Sequence, residues 1–341
     1  MIIGLYTDTH FSSSSNIITK QDGWSGRLSN LIKSIEWVNK IFAENNVDRI
    51  FCLGDLTDRP ILNAEEISAL GKCDFSKHEF VLGNHCRADK DGNLNTLSLF
   101  HKVYSSPSYV DDEKSIFVLP YNSNFYDLKS LETKPKIILS HNDIYDYNFG
   151  DYLSKEGYHI EDILSSCDLF INGHLHNGGW IIKDRIMNLG CLSGINFSSC
   201  GGEWNPSVAI IDTDTLSVKL IENPYAYKFR KKTFKNLLEM KTYLDTLDKG
   251  YVVQFKIPHR VLTESKTILD GYKENETVVA YRVISYADDK KELKKEIEKQ
   301  ELQEQQETVS PTVKLREYII NKKPEILDIK IFDKILDKVT V

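Results

Sequence analysis

The chain has 341 residues, 41% hydrophobic and 27% charged, which is the balance of a folded globular protein and excludes a disordered or fibrous one. No apolar run approaches the roughly 20 residues that span a bilayer, so no membrane partner is expected. The net charge of −7 argues against a free-standing DNA binder, but leaves room for a local basic patch or a partner that supplies the charge. Met1 leads straight into an apolar strand pattern with no basic region or signal peptide, so a cytoplasmic location is expected. The six cysteines form no CxxC pair and read as reduced packing residues, Cys52 within an apolar strand.

Residues 2–7 read as a buried strand. Leu28, Leu31, Ile32, Ile35, Val38, Ile41 and Phe42 follow helical spacing and predict an amphipathic helix over 26–45. A strand over 49–53, a helix over 65–70, a strand over 79–82 and a helix over 94–103 come next. Short apolar strands are expected at 115–119, 136–140 and 169–172. Segments 180–182 and 186–189 flank Lys183-Asp184 as hairpin arms do, and 208–212 and 217–221 flank a turn at 213–215. This alternation predicts a layered α/β domain over 1–224. Near 225 the character changes. Residues 228–232 are basic, and 252–257 and 278–285 read as strands of a small second unit over 225–286. Residues 287–309 are nearly all polar, a solvated helix or linker. Two short amphipathic helices over 312–321 and 324–338 complete the chain, and the segment 310–341 would show an apolar face to a partner.

Five of the nine histidines fall at the ends of apolar strands, beside Asp, Asn or Gly. Asp8-Thr9-His10 ends the first strand, Gly54-Asp55-Leu56-Thr57-Asp58 the second and Gly83-Asn84-His85 the third. Ser140-His141-Asn142-Asp143 and Gly173-His174-Leu175-His176 end two later ones. In open α/β sheets the loops after strand carboxyl ends converge on one crevice, so these motifs are expected to meet. Imidazole mixed with carboxylate favours Mn, Fe or Zn over Ca. The i, i+2 spacing of Asp8 with His10, and of His174 with His176, puts both side chains of each pair on one side of an extended segment. Each motif alone has a plain alternative, a hydrogen-bonded polar residue at a strand end; five in this order leave that alternative little room. His78, His101, His159 and His259 lack such neighbours and read as surface or packing residues. Residues 12–15 read as a polar loop near the site. Residues 201–205, Gly-Gly-Glu-Trp-Asn, suit either a groove wall or a tight turn around a packed Trp.

The order DxH, GDxxD, GNH, SHxD, GHxH resembles the calcineurin-like metallophosphoesterase superfamily over residues 1–222. The resemblance implies a layered sandwich of β-sheets flanked by helices, to which the pattern beyond 225 adds a small α+β C-terminal domain and a terminal helix pair. It implies two divalent metal ions, Mn foremost with Fe, Zn or Mg also fitting. One would be held by Asp8, His10 and His176, the other by Asn84, His141 and His174, with Asp55 bridging them. His85 would contact the phosphate and help the leaving group depart; in many members an acidic residue follows it, where this chain has Cys86. Asp58 suits either of two roles, a carboxylate that steadies a ligand histidine or the His85 ring, or a turn cap.

Three functions compete. The layout beyond 225, with a small domain, a linker and helices, resembles SbcD and Mre–Rad type DNA repair nucleases of the bacterial and phage branch. That likeness implies single- or double-stranded DNA ends as substrate and an SMC-like ATPase of SbcC type as partner, with a homodimer left open. The second reading is a small-molecule phosphodiesterase acting on cyclic nucleotides or nucleotide sugars, and the third a subunit whose main task is docking.

Overall fold

The computed structural model describes residues 1–287 apart from 16–19, 22–23, 101, 122–124, 148–152 and 201. The polar run beyond 287, the helix pair at 312–338 with the ATPase docking expected of it, and His101 therefore lie outside the described residues. Residues 1–257 together with 261–284 form one compact unit.

Six strands form the first sheet, in the order Val218–Glu222, Ser207–Asp212, Ile2–Tyr6, Arg49–Cys52, His78–Val81, Val103–Tyr104. Ile2–Tyr6, Arg49–Cys52 and His78–Val81 run parallel. The second sheet has the order Gly179–Ile182, Ile186–Asn188, Leu169–Asn172, Ile137–Ser140, Ile116–Leu119, Ser108–Tyr109, with its four central strands parallel. Parallel strands are buried on both faces, which is why these segments are continuous apolar runs. Ile3, Leu5, Phe51 and Val81 point inward onto Val118, Leu139, Leu169 and Ile171 of the facing sheet. Their neighbours Cys52, Phe80 and Leu82 turn outward and pack with the helix Gly26–Glu44. On the far side, Phe117, Ile138 and Phe170 meet Ile163 of the helix Ile160–Ser166. The layers run helix, sheet, sheet, helix, the layered sandwich that the resemblance implies.

The helix Gly26–Glu44 follows from spacing alone: Leu28, Leu31, Ile35, Val38 and Phe42 are all fully buried. Each contributes about 1.5–3 kcal/mol. The helix stops at Asn46, whose φ of 50° is left-handed, and the amides of Asn46 and Val47 return to the carbonyls of Ala43 and Phe42. That double bond pattern closes a helix end without glycine.

The helix expected over 94–103 is a correction: the chain forms only a 3-10 turn, Thr96–Leu99, and then the strand Val103–Tyr104. Leu97 is fully buried, whereas Leu94 and Leu99 stand in solvent, so the segment has no apolar stripe to lay on a core. The basic stretch 228–232 is a strand, Lys228–Thr233, in a third sheet with Tyr251–Pro258 and Val278–Tyr286. The helices Leu237–Leu244 and Leu262–Glu274 cover one face of that sheet through Met240, Leu244 and Leu269. On the other face Phe229, Val252 and Ala280 pack against Cys191, Phe197 and Cys200. All six cysteines are free thiols.

His78 is a buried packing histidine with a measurable consequence. Its Nδ1 meets the Tyr6 hydroxyl at 2.8 Å and its Nε2 meets Asn39 Oδ1 at 2.7 Å. Burial lowers its pKa to about 4. A folded pKa below the unfolded one gives stability that is complete above about pH 6.5 and is lost as the pH falls toward 4. Between pH 7.5 and 5 the loss should be about 2 kcal/mol. Denaturant midpoints at the two pH values should show a smaller difference for His78→Gln than for the wild type; equal differences would refute the assignment.

Candidate metal centre and active site

The carboxyl ends of Ile2–Tyr6, Arg49–Cys52 and His78–Val81 meet those of Ile137–Ser140 and Leu169–Asn172 at one edge of the sandwich. All seven candidate ligands gather there. The side chains of Asp8, His10 and His176 offer ligand atoms within 4.8 Å of one another, as do those of Asp55, His141 and His174. The carboxylate of Asp55 lies between the groups, with Oδ2 3.7 Å from His10 Nε2 and 3.2 Å from His141 Nε2. Asn84 joins the second group, its Oδ1 3.3 Å from His141 Nε2 and 3.1 Å from His174 Nδ1. The two catalytic candidates are adjacent: His10, Asp58 and His85 form a third close group.

The rest of the structure spends one atom of most of these residues on orientation and leaves the other facing inward. Asp8 Oδ2 accepts from the Thr7 hydroxyl and the His174 amide, and Asp55 Oδ1 from the His85 amide. His10 Nδ1 pairs with Asp58 Oδ1 at 3.2 Å, and His141 Nδ1 with the Leu53 carbonyl at 2.6 Å. Asp8 Oδ1, Asp55 Oδ2 and His10 Nε2 are buried and make no hydrogen bond. Orphaned buried polar atoms are costly, and three that converge, two of them carboxylate oxygens, fit a cation. The electrostatics agree. Burial alone would lower the pKa of His10, yet Asp58, Asp8 and Asp55 outweigh it and raise it to about 10. Asp55 is lowered to about 2, because the neighbouring His141 and His10 overcome the cost of burial. The cavity favours positive charge.

The backbone here is not extended, which corrects one expectation. Asp8, His10, Asp55 and His174 have φ values of 51°, 46°, 48° and 73°. Non-glycine residues in this left-handed region are strained, and such strain persists only where the surroundings fix it. Amides of Asp8, His10 and Phe11 bond the carbonyls of Gly54, Asp55 and Leu56, so the first two loops coil together as a pair. The glycines permit this closeness. A Cβ at Gly83 would stand 2.2 Å from Asp55 Oδ1, and one at Gly54, whose φ is +112°, would stand 2.1 Å from His141 Nδ1.

Asp58 reaches His10 with its side chain and His85 with its carbonyl, which lies 2.8 Å from His85 Nδ1. Cys86 is buried with its thiol against the Thr57 hydroxyl. The sequence reading gave no role to two supporting residues, Asp143 and Arg27. Asp143 Oδ1 lies 3.4 Å from His174 Nε2. Arg27 is buried and donates to the carbonyls of Thr9, His10 and Gly194, tying the first ligand loop to the helix. Its only sequence signal is its place on the buried side of an amphipathic helix. Trp204 packs where Gly178 and Gly190 leave room, so 202–205 is a packed turn.

Two hollows flank the centre. A pocket of about 500 Å³ opens beside Asp58, walled by Ser12, Ser14, Arg27, Lys231, Gln254 and Arg282 among others. Ser13 anchors that loop wall by donating to buried Glu66. Lys231 and Gln254 are register partners, each two residues beyond the buried Phe229 and Val252; Arg282 stands likewise two beyond Ala280. Alternate strand residues share a face, so the sheet face turns from apolar to cationic as it enters the pocket. On the other side a groove opens beside Asn84.

The family model of calcineurin-like phosphoesterases matches residues 1–178, and the chain belongs to that family. It is a metal-dependent phosphoester hydrolase, with His and Asp clusters able to bind divalent ions. A comparison with curated proteins gives no match. Among solved structures, YfcE, a phosphoesterase from E. coli, is similar at 16% identity and a TM-score of 0.31, over 65% of this chain and 100% of its own. A conserved uncharacterised protein from Streptococcus pneumoniae TIGR4, described as a predicted phosphoesterase, is similar at 13% identity and a TM-score of 0.31, over 66% of this chain and 91% of its own. Among the described residues no helix is long and apolar enough to cross a membrane.

Proposed function

We propose that the chain cleaves phosphodiester bonds of DNA as a nuclease of the SbcD type. In this reading Asp8, His10 and His176 hold one divalent ion, and Asn84, His141 and His174 the other, with Asp55 shared; the N/O donor set suits manganese. Two such ions supply Lewis acidity, lower the pKa of a water and offset charge on the phosphoryl oxygens. Asp58 holds the His10 ring, and Arg27 holds the loop that carries it. With Nδ1 engaged by the Asp58 carbonyl, His85 has Nε2 left to meet a phosphoryl or leaving oxygen.

The observation that carries DNA over a small ester is the cationic wall beside Asp58. Lys231 and Arg282 stand beside Asp58 in a pocket that Arg27 also lines, in a chain of net charge −7. A small diester has no second phosphate for them, whereas a DNA strand has one on each side of the cleaved bond. The test is hydrolysis, with manganese, of end-labelled linear duplex and single-stranded DNA beside bis-para-nitrophenyl phosphate. Cleavage of both DNA and the ester is expected, with DNA cleavage falling steeply as salt rises. Hydrolysis of the ester with no DNA cleavage would replace this reading with the small-molecule phosphodiesterase.

A further inference from the structure

The groove on the Asn84 side has about 1090 Å³, enough for a nucleotide. Its lining includes Asn84, Arg87, Lys90, Ser105, Ser106 and Tyr121. Asn84 reaches both His141 and His174, so the groove adjoins the candidate ligand cluster. Tyr121 is the aromatic residue of that lining, its ring centroid 5.5 Å from that of His174. The backbone of Tyr121 is pinned: it lies just beyond the second-sheet strand Ile116–Leu119, while its amide donates to the Leu82 carbonyl at the end of the first sheet. The Arg87 guanidinium carbon lies 5.7 Å from the Tyr121 centroid, and Arg87 Nη1 donates to the Tyr121 carbonyl at 3.4 Å.

An aromatic ring with a guanidinium over one face, held by two sheets next to a phosphate-cleaving centre, suits a planar base on its other face joined to a phosphate. The ring's negative π face repels a bare phosphate but accepts the face of a base. Arg87 and Lys90 attract the adjoining phosphate, while Asp89 and Asp91 on the same wall repel it from their side. A base paired within a duplex has its faces covered by its neighbours, so only an unpaired one can stack here. We infer that this groove is a nucleobase subsite, in which an unpaired base next to the cleaved bond stacks on Tyr121 and Arg87 holds the adjoining phosphate. The inference rests on the DNA reading above and narrows the substrate to a strand that is single, or frayed, beside the scissile bond.

The experiment uses the full chain with manganese and single-stranded oligonucleotides carrying one abasic position, stepped along either side of the cleaved bond. In the wild type, an abasic residue at one position should lower kcat/KM about 10- to 100-fold. Tyr121→Leu should lose activity on the intact strand by a similar factor and no longer register that abasic position, with its metal content retained. Tyr121→Phe should behave as the wild type. The subsite is refuted if no abasic position matters, if the penalty persists in Tyr121→Leu, or if Tyr121→Leu loses metal, which would make the ring a support for His174. If the wild type cleaves no oligonucleotide yet hydrolyses the small ester, the DNA reading itself fails and takes the subsite with it.

Discussion

Asp55→Asn is expected to leave the protein folded but unable to retain its metal ions through dialysis, and to cut hydrolysis of bis-para-nitrophenyl phosphate on the order of 10³-fold or more. One oxygen of Asp55 is committed to the His85 amide. The other is buried, makes no hydrogen bond and lies within 4 Å of a nitrogen from each of the two histidine groups. An amide keeps the shape but removes the charge that both groups share, and it can turn N–H donors toward a place meant for cations. Metal content per chain, measured alongside turnover, checks this. A variant that keeps its full metal complement and wild-type turnover would show that Asp55 is not the bridge.

The site was the most legible part of the sequence. Asp8, His10, Asp55, Asn84, His141, His174 and His176 each follow an apolar run, and parallel strands buried on both faces leave such runs unmistakable. What periodicity could not convey was how the loops reach one another. The left-handed φ values at Asp8, His10, Asp55 and His174 depend on contacts between loops distant in sequence, and a spacing of two residues carries no hint of them. The same holds for Arg27, which one reads as a polar interruption in a helix until its guanidinium is seen bonding the ligand loop. Local composition misled at 94–103, where leucines at 94, 97 and 99 look like a helix yet only Leu97 has a core to enter. The strand at 228–233 was hidden by its lysines. Its buried side is carried by Phe229, while Lys231 faces a pocket rather than open solvent.

His85→Ala separates catalysis from metal binding. The alanine variant should retain both ions, because the part of residue 85 that steadies the centre is its backbone amide on Asp55, which any residue supplies. The ring itself is exposed at the edge of the site, 4.7 Å from the His10 ring between centroids, and its Nδ1 is occupied by the Asp58 carbonyl. If the ring stabilises or protonates the departing oxygen, as proposed, its loss should lower turnover about 10²–10⁴-fold. The deficit should depend on the leaving group. A para-nitrophenolate departs with little help, whereas a deoxyribose alkoxide needs a proton, so the loss on DNA should exceed the loss on the small ester. Equal losses on both would assign His85 to the charge on the phosphoryl oxygens instead. Loss of an ion on substitution would make His85 a ligand, since His10, Asp58 and His85 already lie close enough to share one.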